Sequence, residues 1–150
     1  MIWVFAQLIL FALYVLLPDS KNFDYFAINQ VLGPIMAVTG LFIGARAAYD
    51  LRKSLSVAPR PTPGSSLIQA GIYGYIRHPM YTAVWLTTGG YAAFDGSLTK
   101  MIMSAILVVF FVLKSRHEEK LLMARYKDYD EYSKCVGAFW PKKKAKSGGP

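Results

Sequence analysis

Four stretches of this chain carry almost no formal charge, and their lengths bear on whether the chain can cross a lipid bilayer. Residues 1–17 and 26–45 contain no Asp, Glu, Lys or Arg. Residues 80–94 form a third uncharged run, rich in small side chains, and residues 98–113 a fourth, interrupted only by Lys100 near its start. A helix that crosses a bilayer needs about 20 mostly apolar residues, with a range of roughly 17–25. The first two runs meet that length. The last two are shorter and read as a helical hairpin with its polar ends at the headgroups, turned by Asp95-Gly96. The reading is an all-α integral membrane protein with about four transmembrane helices. The first run has no basic residue ahead of it and no small-x-small cleavage pattern after it, so a retained helix is expected.

The charges support this topology. The chain carries a formal net charge of +8 from 17 basic and 9 acidic residues. Arg46, Arg52, Lys53, Arg60 and Arg77 lie between the second and third runs. Lys114, Arg116, Lys120, Arg125, Lys127, Lys134, Lys142, Lys143, Lys144 and Lys146 follow the fourth. Four crossings place both groups on one face, which the positive-inside rule makes cytoplasmic, with both termini on that side. The expected location is therefore a membrane, with the basic face cytoplasmic. The apolar runs argue against nucleic acid as the partner of this basic excess. The single cysteine, Cys135, allows no intrachain disulfide.

One domain is expected over residues 1–141, followed by a basic, disordered tail over 142–150. Within residues 58–66, three prolines at alternate positions favour an extended path. Residues 116–136 read as a continuous interfacial helix. Leu122, Tyr126, Tyr129, Ser133 and Val136 recur there at spacings of three and four and form one stripe. Glu118 and Glu119 fall on opposite shoulders of that stripe.

Two clusters can carry chemistry. The first is Gly71-Ile-Tyr-Gly-Tyr-Ile-Arg-His-Pro-Met-Tyr81, before the third run, and the second is Arg116-His-Glu-Glu-Lys-Leu-Leu122, after the fourth. A hairpin between them brings both to the same interface. Pro79 suits the first turn of a helix. Arg77, His78, Tyr73 and Tyr81 read either as interfacial anchors or as ligand-binding groups. A carboxylate so close to a span needs a partner or an aqueous pocket, so Glu118 and Glu119 read either as a charged helix end or as the holder of a cationic ligand group. His78 and His117 lack paired ligands at metal-binding spacing. No G-x-S-x-G or similar nucleophile signal is present, and Gly71 and Gly74 do not form a phosphate loop.

Taken together, Gly71-Ile-Tyr-x-x-x-Arg-His-Pro-x-Tyr81, a hydrophobic hairpin, Glu118-Glu119-x-Leu-Leu122, a Tyr-x-x-Tyr pair and Phe139-Trp140-Pro141 resemble the isoprenylcysteine carboxyl methyltransferase family. The phospholipid methyltransferases are similar more distantly. The resemblance covers roughly residues 65–141 and points to a small prokaryotic-type member. It implies a membrane methyltransferase that uses S-adenosyl-L-methionine and a lipophilic or small-molecule acceptor, with no metal. Carried over by position, the cofactor contacts are Leu67 and Ile68 through their backbone, then Tyr73, His78, Pro79, Met80 and Tyr81, with Glu118 at the methionine ammonium and Glu119 beside it. Lys114 or Arg116 would orient an anionic or polar acceptor. The chain departs from the family at three places: Lys114 stands where the eukaryotic enzymes have arginine, Thr82-Ala83 follows Tyr81 where the family often has glycine, and Tyr126-Lys127 stands where the family usually has Phe-Gly. Two other readings compete. One is an NADPH-dependent reductase of the sterol-reductase type, which shares an Arg-His-Pro-x-Tyr pattern. The other is a non-catalytic membrane scaffold.

Overall fold

The computed structural model describes residues 2–20, 27–57 and 67–142. The Pro-rich segment 58–66 and tail residues 143–150 lie outside the described residues. Helix α1 spans Ile2–Leu16, α2 Ala27–Val57, α3 Pro79–Asp95, α4 Leu98–Arg125 and α5 Tyr129–Cys135, with a short 3-10 turn at Gly71–Gly74. Among the described residues there is no strand beyond an isolated parallel bridge between Ile76 and Gly137. The chain is all-α.

Each apolar run of the sequence has become a helix. Two of these helices, Ile28–Arg52 within α2 and Leu98–Arg125, are long and apolar enough to cross a bilayer. α1, with 15 residues, and α3, with 17, fall at or below the lower end of that range. Large apolar side chains on α1, α2 and α4 point outward, among them Phe5, Val31, Leu41, Phe42 and Val109. In water such a continuous apolar surface would be a liability. Against lipid it is the expected exterior of a membrane protein.

The hairpin forms as the dipeptide predicts. Gly96 closes α3 in the left-handed conformation, with φ of 65°, which glycine adopts without penalty. The Ser97 side chain then caps α4 by accepting from the Lys100 backbone N–H at 3.3 Å. The charge that interrupts the fourth run is fully partnered: Lys100 Nζ lies 2.8 Å from Asp19 and 3.0 Å from Asp95. α2 and α3 approach so closely that a Cβ on Gly33 would lie 2.8 Å from the Gly90 carbonyl oxygen. α1 rests on α4 through a core of Tyr14, Met103, Leu107 and Phe111. The Tyr14 hydroxyl donates to the Thr88 carbonyl at 2.8 Å.

Two boundaries differ from the sequence reading. The second helix runs twelve residues past Ala45, so Arg46 and Asp50 project from a helix rather than a loop. The single helix expected over 116–136 is divided. α4 continues from the membrane run through Glu118 and Glu119 to Arg125, and Tyr126 then turns extended, at φ −119° and ψ 116°. The break resets the phase of the stripe. Tyr129, Tyr132 and Val136 of α5 are buried against Leu67, Leu122 and Tyr126, so Tyr132 takes the inward place assigned to Ser133.

Candidate functional site

The α3–α4 hairpin sets the start of α3 beside the last turns of α4, and the two sequence clusters meet there. Arg77 is the clamp. Its Nε and Nη2 donate to Glu119 Oε1 at 3.0 and 2.8 Å. Its Nη1 donates to the carbonyls of Ser133 and Val136, both at 2.6 Å. One guanidinium thus ties α4 to α5, using the fork geometry that lysine lacks. The backbone N–H of Arg77 donates to the Gly137 carbonyl at 2.8 Å, and that of His78 to the Ala138 carbonyl at 2.9 Å. Thr82 Oγ1 donates to the Phe139 carbonyl at 2.7 Å. The segment after α5 is therefore stitched across the entrance to α3.

Pro79 begins α3 and needs no N–H partner there. His78 precedes it and is buried, with 8% of its side chain exposed. Its Nε2 lies 3.1 Å from Glu119 Oε1. Burial pulls the imidazole below the ordinary histidine range, and the hydrogen bond to Glu119 and its charge oppose that only in part. The ring is thus neutral at pH 7, and we assign its proton to Nε2, donating to Glu119. Burial also raises the Tyr132 hydroxyl to about 12. It donates to the Tyr73 carbonyl at 2.6 Å, fixing the loop ahead of His78.

The two adjacent glutamates have separate environments. Glu119 faces Arg77 and His78, with 19% of its side chain exposed. Glu118, one residue and about 100° further round the helix, is 37% exposed. Both its oxygens accept from the Tyr81 hydroxyl at 2.8 Å. Lys114, one turn earlier on the same face, holds Nζ 3.9 Å from Glu118 and over the Tyr81 ring. Aromatic rings line the rest. His78 and Tyr81 are stacked at 5.4 Å, Tyr81 meets Phe111 at 4.6 Å, and Phe139 bridges His78 and Trp85 at 5.7 and 4.3 Å. Among the described residues, the buried Trp85 Nε1–H has no hydrogen-bond partner.

The structure gathers most of the residues singled out in the sequence. His78, Tyr81, Lys114, Glu118 and Glu119 converge. Tyr73 sits in the adjoining turn. Pro79 is buried, whereas Met80 is exposed. Leu67 packs on the α5 cluster, and Ile68 follows it, half-buried. Arg116 does not converge. It is two residues from both Lys114 and Glu118, hence about 200° round the helix from each, and it lies exposed. Three contributors were not singled out. Asp50 of α2 accepts from the Ile72 N–H at 2.8 Å and from Arg46 at 3.1 Å, anchoring the loop. Trp85 packs at 4.3 Å on Phe139, a residue of the Phe139-Trp140-Pro141 motif. Gln7 of α1 accepts from Lys114 at 2.8 Å. Its one sequence signal was being the lone amide in an otherwise apolar helix. Among the described residues, no group of three His, Cys, Asp or Glu is placed to hold a metal ion.

The sequence profile of the family described as phospholipid methyltransferase matches residues 28–129. That is more than half of the chain, and it includes both halves of the cluster. The chain belongs to the phospholipid methyltransferase family. Among curated relatives of this family member, it is 29% identical over 133 residues to the Saccharomyces cerevisiae protein-S-isoprenylcysteine O-methyltransferase, covering 84% of this chain and 56% of that protein. It is 27% identical over 115 residues to the Schizosaccharomyces pombe protein of the same name, covering 74% and 49%. It is also 30% identical over 82 residues to the nickel-cobalt-cadmium resistance protein NccN of Alcaligenes xylosoxydans xylosoxydans, covering 52% and 37%. The chain spans about half the length of the two methyltransferases it matches. These relatives do not favour the reductase or scaffold readings.

Proposed function

We propose that this chain is a membrane methyltransferase that uses S-adenosyl-L-methionine and methylates a lipophilic or small acceptor at the cytoplasmic membrane interface. The observation that carries the reading is Glu118, a partly exposed carboxylate held by Tyr81 beside a wall of aromatic rings, at the junction of α3 and α4. The family match and the two isoprenylcysteine O-methyltransferases give the chemistry its direction.

The donor set fits the cofactor. An amino-acid ammonium needs a carboxylate where water is scarce, and the hydrogen bonds to Glu118 come from Tyr81 alone among the described residues. The faces of Tyr81, Phe139 and Trp85 suit a cation by the attraction of their ring quadrupoles. When bound, S-adenosylmethionine supplies an electrophilic methyl on a positively charged sulfur. The protein's share is positioning. Glu118 would hold the ammonium, with the backbone of Leu67 and Ile68 and the Tyr73 turn along the rest. Neutral His78 would keep Glu119 and Arg77 in place and present its ring face. Lys114 would hold an anionic acceptor oxygen in line with the methyl, a role Arg116 is turned away from. Alignment of this kind contributes up to about 7–11 kcal/mol in favourable cases. Water excluded by the aromatic wall cannot compete for the methyl.

By the positive-inside rule we assign this end of the bundle to the cytoplasmic side, with both termini there, and the protein to the inner membrane of a prokaryote. Incubating purified protein with methyl-labelled S-adenosylmethionine and an S-prenyl-cysteine tests the reading. Labelled ester should form, and Glu118→Ala should raise the KM for the cofactor at least tenfold. Normal turnover in Glu118→Ala would contradict the assignment.

A further inference from the structure

Lys114 and Gln7 belong to different parts of the chain. Lys114 sits on α4 inside the matched family segment, whereas Gln7 lies on α1, outside residues 28–129. Yet the shortest polar contact of Lys114 crosses between them: Nζ donates to Gln7 Oε1 at 2.8 Å. An ammonium has three donors. Glu118, at 3.9 Å, is near enough for attraction but too far for a hydrogen bond. The Tyr81 and Phe111 rings, at 5.4 and 5.8 Å, offer their faces. Lys114 is 13% exposed and has a single hydrogen bond among the described residues, so a mostly buried cation retains donor capacity beside the site.

Lysine is a point charge on a flexible stem, without the planar fork that fixes an arginine. Something must decide where its ammonium rests, and α1 supplies it. The same helix is fastened to α4 on either side of Gln7, by Trp3 against Phe110 and His117 and by Phe11 against Phe111.

We propose that Gln7 is a positioning residue for acceptor recognition: it holds the Lys114 ammonium where its remaining N–H donors meet an anionic oxygen, a carboxylate in the first instance, of the methyl acceptor. α1 is then a specificity element of the site as well as a membrane helix. The inference rests on the function proposed above.

The test uses the whole 150-residue chain in detergent, with S-prenyl-cysteine as acceptor probe. Gln7→Leu keeps the side chain's bulk and removes the acceptor oxygen. It should raise the KM for S-prenyl-cysteine about fivefold or more and leave the affinity for S-adenosylmethionine unchanged. Gln7→Glu places a competing anion on Lys114 and should raise that KM further. In a Lys114→Ala background, Gln7→Leu should have no additional effect, since the two act as one unit. An unchanged KM in Gln7→Leu, or an equal increase with and without Lys114, overturns the inference alone. Wild-type protein that binds no S-adenosylmethionine overturns the proposed function instead.

Discussion

Arg77 shows how much one side chain does here. Its guanidinium reaches Glu119 on α4 and two carbonyls in and just after α5, with 11% of the side chain exposed. Removing one partner of a buried ion pair leaves the other uncompensated, at a cost of about 3–5 kcal/mol. Arg77→Ala should destabilise the protein by that order, and Arg77→Lys should recover only part of it, as read from unfolding in detergent. His78 makes a pH prediction. Its folded pKa lies below its unfolded value, so below about pH 6.5 the unfolded state takes up protons that the folded state refuses. Stability should therefore be full above that pH and fall as pH drops through the window beneath it. His78→Gln should flatten this decline in thermal midpoint between pH 7.5 and 5.5. The sequence named His78, Glu118 and Glu119 but not which of them Arg77 would hold. Which glutamate meets Arg77 depends on the rotational setting of α4 against α3, which no local pattern encodes. The roles of Gln7 and Asp50 were hidden for a related reason, since each acts across a distance in sequence that only packing closes.

At the scale of elements, the apolar runs and the Asp95-Gly96 turn were readable because hydrophobic length and turn chemistry are local properties. The break between α4 and α5 was not. Residues 116–136 keep helical spacing, and the chain departs from helix at Tyr126 where Tyr129, Tyr132 and Val136 can bury against Leu67 and Leu122. Part of that gain comes from Leu67, some sixty residues away. The loop before α3 depends on Gly71, at φ 62°, where a Cβ would run into the Asp50 carboxylate. Left-handed backbone costs about 1–2 kcal/mol for a residue with a Cβ. Gly71→Ala should lower stability by at least that much and weaken cofactor binding, because the loop carries Tyr73 and leads into His78. Calorimetry on the variant checks both.

For the whole molecule, charge and apolarity divide cleanly. Arg46, Asp50, Arg77, Lys114 and both glutamates gather at one end of the bundle, and Asp19, Asp95 and Lys100 at the other. Exposed apolar side chains cover the helices between. Cys135 lies exposed at the end of α5, on the site's side. In sealed inverted vesicles, an impermeant maleimide should label it, and in right-side-out vesicles it should not. The opposite pattern would reverse the orientation and place the site on the other face of the membrane.

The most direct measurement of the central claim is titration of S-adenosylmethionine into the folded protein in detergent by calorimetry. Saturable binding is expected, weakened at least tenfold by Glu118→Ala and left unchanged by Gln7→Leu. Absence of binding by folded wild-type protein, or binding indifferent to Glu118, would contradict it.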